Sequence, residues 1–225
     1  MKIIAASDFH GTLLDYQWEC DVFCICGDTF PLRIQWKKKK CEYWLRQEFI
    51  PWTNKLKCKH VLLIAGNHDF YFEKTLIDDI HLMFKGTKIT YLENDGVVID
   101  GVNFYGTPYC HQFGEWAFMR DDERLKMIFQ NIPEHVDILL SHDAPYGVSD
   151  ICFEYAPWNS GKHLGCQPLR EEVERAQPKY LLHGHLHSSN HEEEVLGETK
   201  VRCVSLLDEK YEPAYEYFTL EYDKH

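Results

Sequence analysis

The chain lacks any apolar run approaching the roughly 20 residues that a membrane-spanning helix needs. Only five apolar residues, Met1, Ile3, Ile4, Ala5 and Ala6, precede Ser7 and Asp8, too short a stretch for a secretory signal. A cytoplasmic protein with no membrane partner is therefore expected. There is no C-x-x-C pair, and the nine cysteines are odd in number and scattered. That argues against a disulfide framework and against redox or zinc roles. It suits a reducing compartment in which cysteines serve as small buried hydrophobes. Cys24 and Cys26 alternate within an apolar run and should point to one side of a sheet. Positive charge is scarce: 24 Lys and Arg stand against 36 Asp and Glu, a net charge of −12. Such a surface repels a phosphate backbone, so no stable nucleic-acid complex is expected. Internal repeats, low-complexity segments and linkers are absent too. The 225 residues, 44% hydrophobic and 27% charged, fit one soluble globular domain spanning 1–225.

Short apolar runs at Lys2–Ala6, Asp21–Cys26, His60–Ala65, Val136–Leu140 and Lys179–Leu182 read as buried strands. Helices are predicted over Trp36–Leu56, broken or restarted at Pro51, and over Glu73–Phe84, Met119–Asn131 and Leu169–Ala176. The Lys37–Lys40 run reads as a solvated helix face. Residues 88–106 alternate, with turn signals at Asn94-Asp95-Gly96 and Asp100-Gly101. They predict consecutive antiparallel strands with a hairpin at the second turn. The tail from Lys200 to Tyr222 is β-rich. Two mixed sheets packed face to face, with helices outside, follow from this order. Residues 144–168 form a long irregular stretch whose Tyr146, Phe153, Tyr155 and Trp158 argue against disorder.

Each buried strand leads into a short cluster of metal-ligating residues. In order these are Asp8-Phe9-His10, Gly27-Asp28, Gly66-Asn67-His68-Asp69, Ser141-His142 and Gly184-His185-Leu186-His187. Any one of them arises readily by chance; the ordered set does not. Ligands of an α/β sheet gather at the carboxyl ends of its strands, where all five lie. Gly11, Gly27, Gly66 and Gly184 would let the backbone turn sharply there. Asp8, Asp28, Asn67 and the histidines suffice for two divalent metals, with one His left for acid–base work. Mixed oxygen and nitrogen donors suit Mn, Fe, Zn, Co or Ni rather than an oxygen-only Ca or Mg cage. A metal pair also dominates the local field, so the acidic surface does not exclude a small anionic substrate.

The D-x-H, G-D, G-N-H-D, H and G-H-x-H series resembles the calcineurin-like metallophosphoesterases, and the resemblance runs from Asp8 to His187. A closer resemblance is to the small metallophosphoesterase-domain proteins, a brain-type, class III phosphodiesterase-like subgroup. It rests on Gly106-Thr107-Pro108-Tyr109, Trp116-Ala117-Phe118, Val136-Asp137-Ile138-Leu139 and Gly165-Cys166-Gln167-Pro168-Leu169. The resemblance implies a four-layer α-β-β-α sandwich of two mixed sheets. It implies that Asp8, His10 and His187 hold one metal, that Asn67, His142 and His185 hold the other, and that Asp28 bridges them. His68 would lie beside the pair without ligating it. Both His185 and His187 are present, so a full pair of Mn²⁺, Fe²⁺/³⁺, Zn²⁺ or similar ions is expected. One departure matters. The Gly-Asp-x-x-Asp-Arg-Gly motif of the Ser/Thr protein phosphatases is replaced by Gly27-Asp28-Thr29-Phe30-Pro31-Leu32-Arg33. Neither the phosphate-clamping Arg nor the Asp that orients the catalytic His is in place, and Arg33 reads as a surface residue.

The expected chemistry is attack by a metal-bridging hydroxide on a small phosphodiester, such as a cyclic nucleotide. Catalytic roles fall to Asp28 and to His68, the proton donor to the leaving group. A phosphomonoesterase is the nearest alternative; a metal-binding interaction module without turnover is the alternative from another class. Asp69 directly follows His68 and so reads as pointing elsewhere, with support of His68 the alternative; Asp143 reads equally as accepting from a ligand His or as capping a turn. His111 reads as a loop residue with substrate contact as the alternative. His183 reads as a satisfied core residue. Tyr155 and Trp158 read as core packing, with stacking on a nucleobase the alternative. The sequence leaves a homo-oligomer open.

Overall fold

The structure, a computed structural model, describes residues 1–152 and 161–223. Phe153, Tyr155, Trp158 and His225 lie outside the described residues. The first half runs β1 (Lys2–Ala6), β2 (Glu19–Cys26), α1 (Lys38–Trp44), α2 (Ile50–Lys55), β3 (Lys57–Ile64), α3 (Phe70–Glu73), α4 (Ile77–Phe84) and β4 (Ile89–Tyr91). The second runs β5 (Asp95–Ile99), β6 (Val102–Thr107), β7 (Cys110–His111), β8 (Met119–Arg120), α5 (Asp122–Phe129), β9 (Ile138–Ser141), α6 (Gln167–Ala176), β10 (Tyr180–His183), β11 (Glu194–Leu196), β12 (Thr199–Cys203) and β13 (Phe218–Glu221).

The strands form two large mixed sheets, in the orders β13-β1-β2-β3-β4 and β11-β12-β10-β9-β6-β5. Strands β1 to β4 run parallel, as do β6, β9, β10 and β12; β13, β5 and β11 are antiparallel edges. Side chains alternate across a strand, and this sorts them into layers. Ile3, Ala5, Val22, Cys24, Cys26, Leu62 and Ile64 of the first sheet meet Phe104, Ile138, Leu140 and Leu182 of the second in the central layer. Ile4, Phe23, Ile25, Val61 and Leu63 face the other way, onto Trp44, Phe49, Trp52, Phe72 and Ile80 of the first helical layer. Tyr105, Leu139 and Leu181 pack on Leu125, Phe129, Leu169 and Val173 of α5 and α6. The result is the expected four-layer sandwich, with Cys24 and Cys26 on one face as anticipated.

Local chemistry explains the helix limits. Asp121 caps α5 by accepting from Arg124 N at 2.9 Å, and Pro168 sits in the first turn of α6, where a missing N–H costs nothing. Pro51 plays the same part in α2: the predicted Trp36–Leu56 helix restarts there, after a π turn over Leu45–Phe49.

Three expectations need correction. The predicted Glu73–Phe84 helix starts only at Ile77, because Glu73 closes the short α3 and Leu76 is extended. Residues 88–106 are not one run of antiparallel strands. β4 pairs in parallel with β3 in the first sheet, and only β5 and β6 form the hairpin across Asp100-Gly101. Asn94, at φ 51°, lies where the chain crosses between sheets. The predicted Met119–Asn131 helix begins only at Asp122, because Met119 and Arg120 pair with Cys110 and His111. No described helix is long and apolar enough to cross a membrane.

Candidate metal centre

The parallel strands all deliver their carboxyl ends to one edge of the sandwich, and the five clusters meet there. The turns that carry them are strained. Asp8, His10, Asp28 and His185 hold φ values of 57°, 43°, 53° and 70°, a left-handed region that costs non-glycine residues about 1–3 kcal/mol each. Burial and hydrogen bonds hold them there: Asp8 N donates to Gly27 O at 3.1 Å and His10 N to Asp28 O at 2.9 Å. Gly27 sits at φ 100°, as a sharp turn requires. Gly66 and Gly184 serve for a different reason than sharp turning, since neither has a positive φ. A Cβ on Gly66 would lie 2.3 Å from Asp28 Oδ1, and one on Gly184 2.4 Å from Asp8 Oδ2. They make room for the ligand carboxylates.

All seven residues expected to bind metal come together. His10 Nε2 lies 3.4 Å from His187 Nε2 and 3.6 Å from Asp28 Oδ2, and His187 Nε2 lies 3.4 Å from Asp8 Oδ1. On the other side, Asn67 Oδ1 lies 3.0 Å from His142 Nε2 and 2.9 Å from His185 Nδ1, with His142 Nε2 3.5 Å from Asp28 Oδ1. The two oxygens of Asp28 thus face the two groups separately. Ligands about 2.1 Å from one ion stand about 3.0–3.4 Å apart in octahedral or tetrahedral arrays, which these spacings match.

The donor set points the same way. His142 Nδ1 donates to Cys26 O at 2.8 Å and His187 Nδ1 to Asp208 O at 2.9 Å. Each neutral ring therefore presents a bare Nε2 to carboxylate or amide oxygens. Converging lone pairs need a cation, or else a proton. In the protein without metal the proton takes that place. Burial pulls His142 down, but the charge and contact of Asp28 prevail and hold it up at about 10. Burial likewise opposes Asp8 at His187, which is raised to about 9. Burial wins at His10 and His185, each lowered to about 4 against Asp28 and Asp143 respectively. For Asp8, the upward push of burial loses to His187, and the carboxyl lies well below its usual range.

The supporting residues divide unevenly between expected and unexpected. Asp69 does not touch His68. It accepts from Thr29 N, Phe30 N and Gly66 N at 2.9–3.2 Å and ties the second and third clusters together. His68 instead places Nδ1 2.7 Å from Gln35 Oε1, which can only accept, and packs against Trp116, with the rings tilted 36° and their centroids 4.5 Å apart. Its Nε2 is then left toward Asp28 Oδ2 at 4.0 Å. Asp143 binds His111, through the backbone N at 2.9 Å and Nδ1 at 2.7 Å, and no ligand histidine. His183 is buried and satisfied by Gly184 O and Ser149 Oγ, as expected. Arg33 is exposed and lies outside the cavity above the centre. That cavity, about 420 Å³, is lined by Asp28, Asn67, His68, His185 and His187, with walls that include His111, Phe113, Trp116 and Tyr211. Sequence reasoning missed Gln35, Phe113 and Tyr211. It had noted Trp116 only through the Trp-Ala-Phe resemblance.

Comparison with known proteins agrees with this geometry. Residues 1–189 match the profile described as calcineurin-like phosphoesterase. The human metallophosphoesterase domain-containing protein 1 is 26% identical over 209 residues, covering 83% of this chain and 60% of that protein. A UPF0046 protein of Caenorhabditis elegans is 30% identical over 161 residues, 59% of this chain and 39% of the relative. The chain thus spans 60% and 39% of the lengths of these two relatives, less than two thirds of either. Among solved structures, a phosphopantetheinyl hydrolase from Mycobacterium tuberculosis superposes with a TM-score of 0.55 at 12% identity, over 93% of this chain and 90% of that one. A protein of Thermus thermophilus gives 0.51 at 15%, over 90% and 88%. At such identities the likeness speaks for the fold alone. With the profile match covering most of its length, this chain belongs to the calcineurin-like phosphoesterase family.

Proposed function

We propose that this chain is a binuclear metal-dependent phosphodiesterase acting on small phosphodiesters such as cyclic nucleotides. The observation that carries the reading is the convergence of bare ligand atoms, 2.9–3.6 Å apart, on both sides of the Asp28 carboxylate. Asp8, His10 and His187 would hold one ion and Asn67, His142 and His185 the other, with Asp28 shared. When bound, the ions would supply Lewis acidity toward phosphoryl oxygens and an activated water.

The protein's own groups do the rest. Gln35 holds one proton of His68 on Nδ1, so the imidazolium form would carry its second proton on Nε2 beside Asp28 and pass that proton to the leaving oxygen. Trp116 packs against the ring at a tilt. Phe113, Trp116 and Tyr211 offer flat apolar walls to a planar leaving group and narrow the access of water. Preference for a diester follows from charge. No Lys or Arg lines the cavity among the described residues, so positive charge beyond the metals is limited to histidine, which suits the single charge of a diester better than the dianion of a monoester.

The test is hydrolysis of bis-p-nitrophenyl phosphate beside p-nitrophenyl phosphate by metal-stripped protein reloaded with Mn²⁺. Diester turnover above monoester turnover, abolished in Asp28→Ala, is expected. Dominant monoester turnover would replace the reading with a phosphomonoesterase. No turnover of either by metal-loaded protein would leave an interaction module.

A further inference from the structure

We infer that His111, held by Asp143, is a substrate-binding residue that donates from Nε2 to a non-bridging phosphoryl oxygen and replaces the missing phosphate-clamping arginine. The inference rests on the phosphoester reading above and adds a residue to it. A phosphoester site normally places a fixed cation against the phosphoryl oxygens. In this chain the arginine of the Gly-Asp-x-x-Asp-Arg-Gly motif is absent, Arg33 is exposed elsewhere, and no Lys or Arg lines the cavity among the described residues. The histidines expected at the metals are committed to them, and His68 is held by a neutral amide.

His111 differs from all of these. It lines the cavity from β7, with its side chain about a quarter exposed (25%), while its partner Asp143 is fully buried. One carboxylate oxygen of Asp143 accepts both the backbone N of His111 at 2.9 Å and its Nδ1 at 2.7 Å; the other accepts Ala144 N at 2.9 Å. The ring is therefore fixed, with Nδ1 protonated and Nε2 its one remaining polar atom. A buried carboxylate beside an imidazole favours the imidazolium, and Asp143 does raise the His111 pKa against the opposing pull of burial. Both ring nitrogens then donate. Phe113 stands between this ring and His185, 5.7 Å from the first and 5.4 Å from the second, so His111 and the metal centre share one wall. Asp143 directly follows His142, which ties the anchor of the clamp to the strand end that carries a ligand.

The test uses the metal-loaded full chain, with inorganic phosphate as probe in calorimetry and the diester KM as a second readout. His111→Gln keeps a donor for Asp143 but removes the charge. The expected result is roughly tenfold weaker phosphate binding and a higher KM, at unchanged metal content and with kcat affected less. His111→Lys should recover part of the affinity. Unchanged phosphate affinity in His111→Gln with metals intact would overturn the inference. So would metal loss that accounts for the weakening and is not reversed in His111→Lys, since His111 would then only support His142. Failure of wild-type protein to bind phosphate or turn over any ester is the separate result that would remove the phosphoester reading itself.

Discussion

Gly66→Ala isolates what the tight approach of the third cluster does for the site. Its Cβ would lie 2.3 Å from Asp28 Oδ1, 2.6 Å from Asp28 N and 2.6 Å from His142 Cε1. Normal contacts of this kind are about 3.5 Å or longer, so the overlap is close to an ångström. Gly66 does not have a positive φ, which leaves sterics as the cause of any effect. Neither neighbour can retreat freely. Asp28 is a left-handed residue whose Oδ1 accepts His68 N at 2.8 Å, and the buried His142 ring is pinned to Cys26 O. Overpacking of this kind costs about 1–3 kcal/mol. At about 2–4 °C per kcal/mol for a chain of this size, Tm should fall by roughly 2–12 °C. The strain falls on the carboxylate that both ion positions share, so bound Mn²⁺ should drop as well. Gly86→Ala is the control. Its φ of 81° strains an alanine by about 1–2 kcal/mol, yet nothing lies within 4 Å of the new Cβ. It should lose a comparable Tm and keep its metals. Calorimetric unfolding and elemental analysis of dialysed protein read both quantities. Gly66→Ala with full metal content and an unaltered Tm would refute the reasoning.

Three further outcomes are expected. Gln35→Leu should lower kcat on diesters with poor leaving groups about tenfold, with metal content and KM little changed, while His68→Ala should lower it by about 10²–10⁴; steady-state kinetics at saturating Mn²⁺ checks both. Asp69→Ala strands the buried N–H groups of Thr29, Phe30 and Gly66 and should cost about 2–4 kcal/mol in urea unfolding. Metal loading at pH 7.5 should release about two protons per chain, because His142 and His187, raised to about 10 and about 9, are protonated in the metal-free protein and must be bare to ligate. Affinity should therefore rise with pH up to about 10, more steeply below about 9, and calorimetry in buffers of unequal ionisation enthalpy reads the proton count.

Much of this arrangement is legible in the sequence because the strands are short buried runs with a ligand at each carboxyl end. Strand β1 and helix α6 follow their apolar patterns closely. Legibility fails where the partner is distant. Ile89–Tyr91 alternates like the hairpin that follows it, yet its pairing with β3 is a tertiary choice that no local pattern records. Gln35 and Tyr211 reach the site from irregular loops, so neither carries a periodic signal. Tyr211 meets His10 at 4.8 Å only because the tail folds back over the first sheet. His111 read as an ordinary loop histidine because its partner lies 32 residues away. Asp69 is the converse case: its adjacency to His68 implies that the two side chains point apart, and Asp69 does turn away, to Thr29, Phe30 and Gly66.

Whether the five clusters build one two-metal centre is decided by anomalous diffraction from crystals grown with Mn²⁺. Two peaks about 3.5–4 Å apart are expected, joined by Asp28, one held by Asp8, His10 and His187 and the other by Asn67, His142 and His185. A single peak, or two that do not share Asp28, would contradict a two-metal centre at this site.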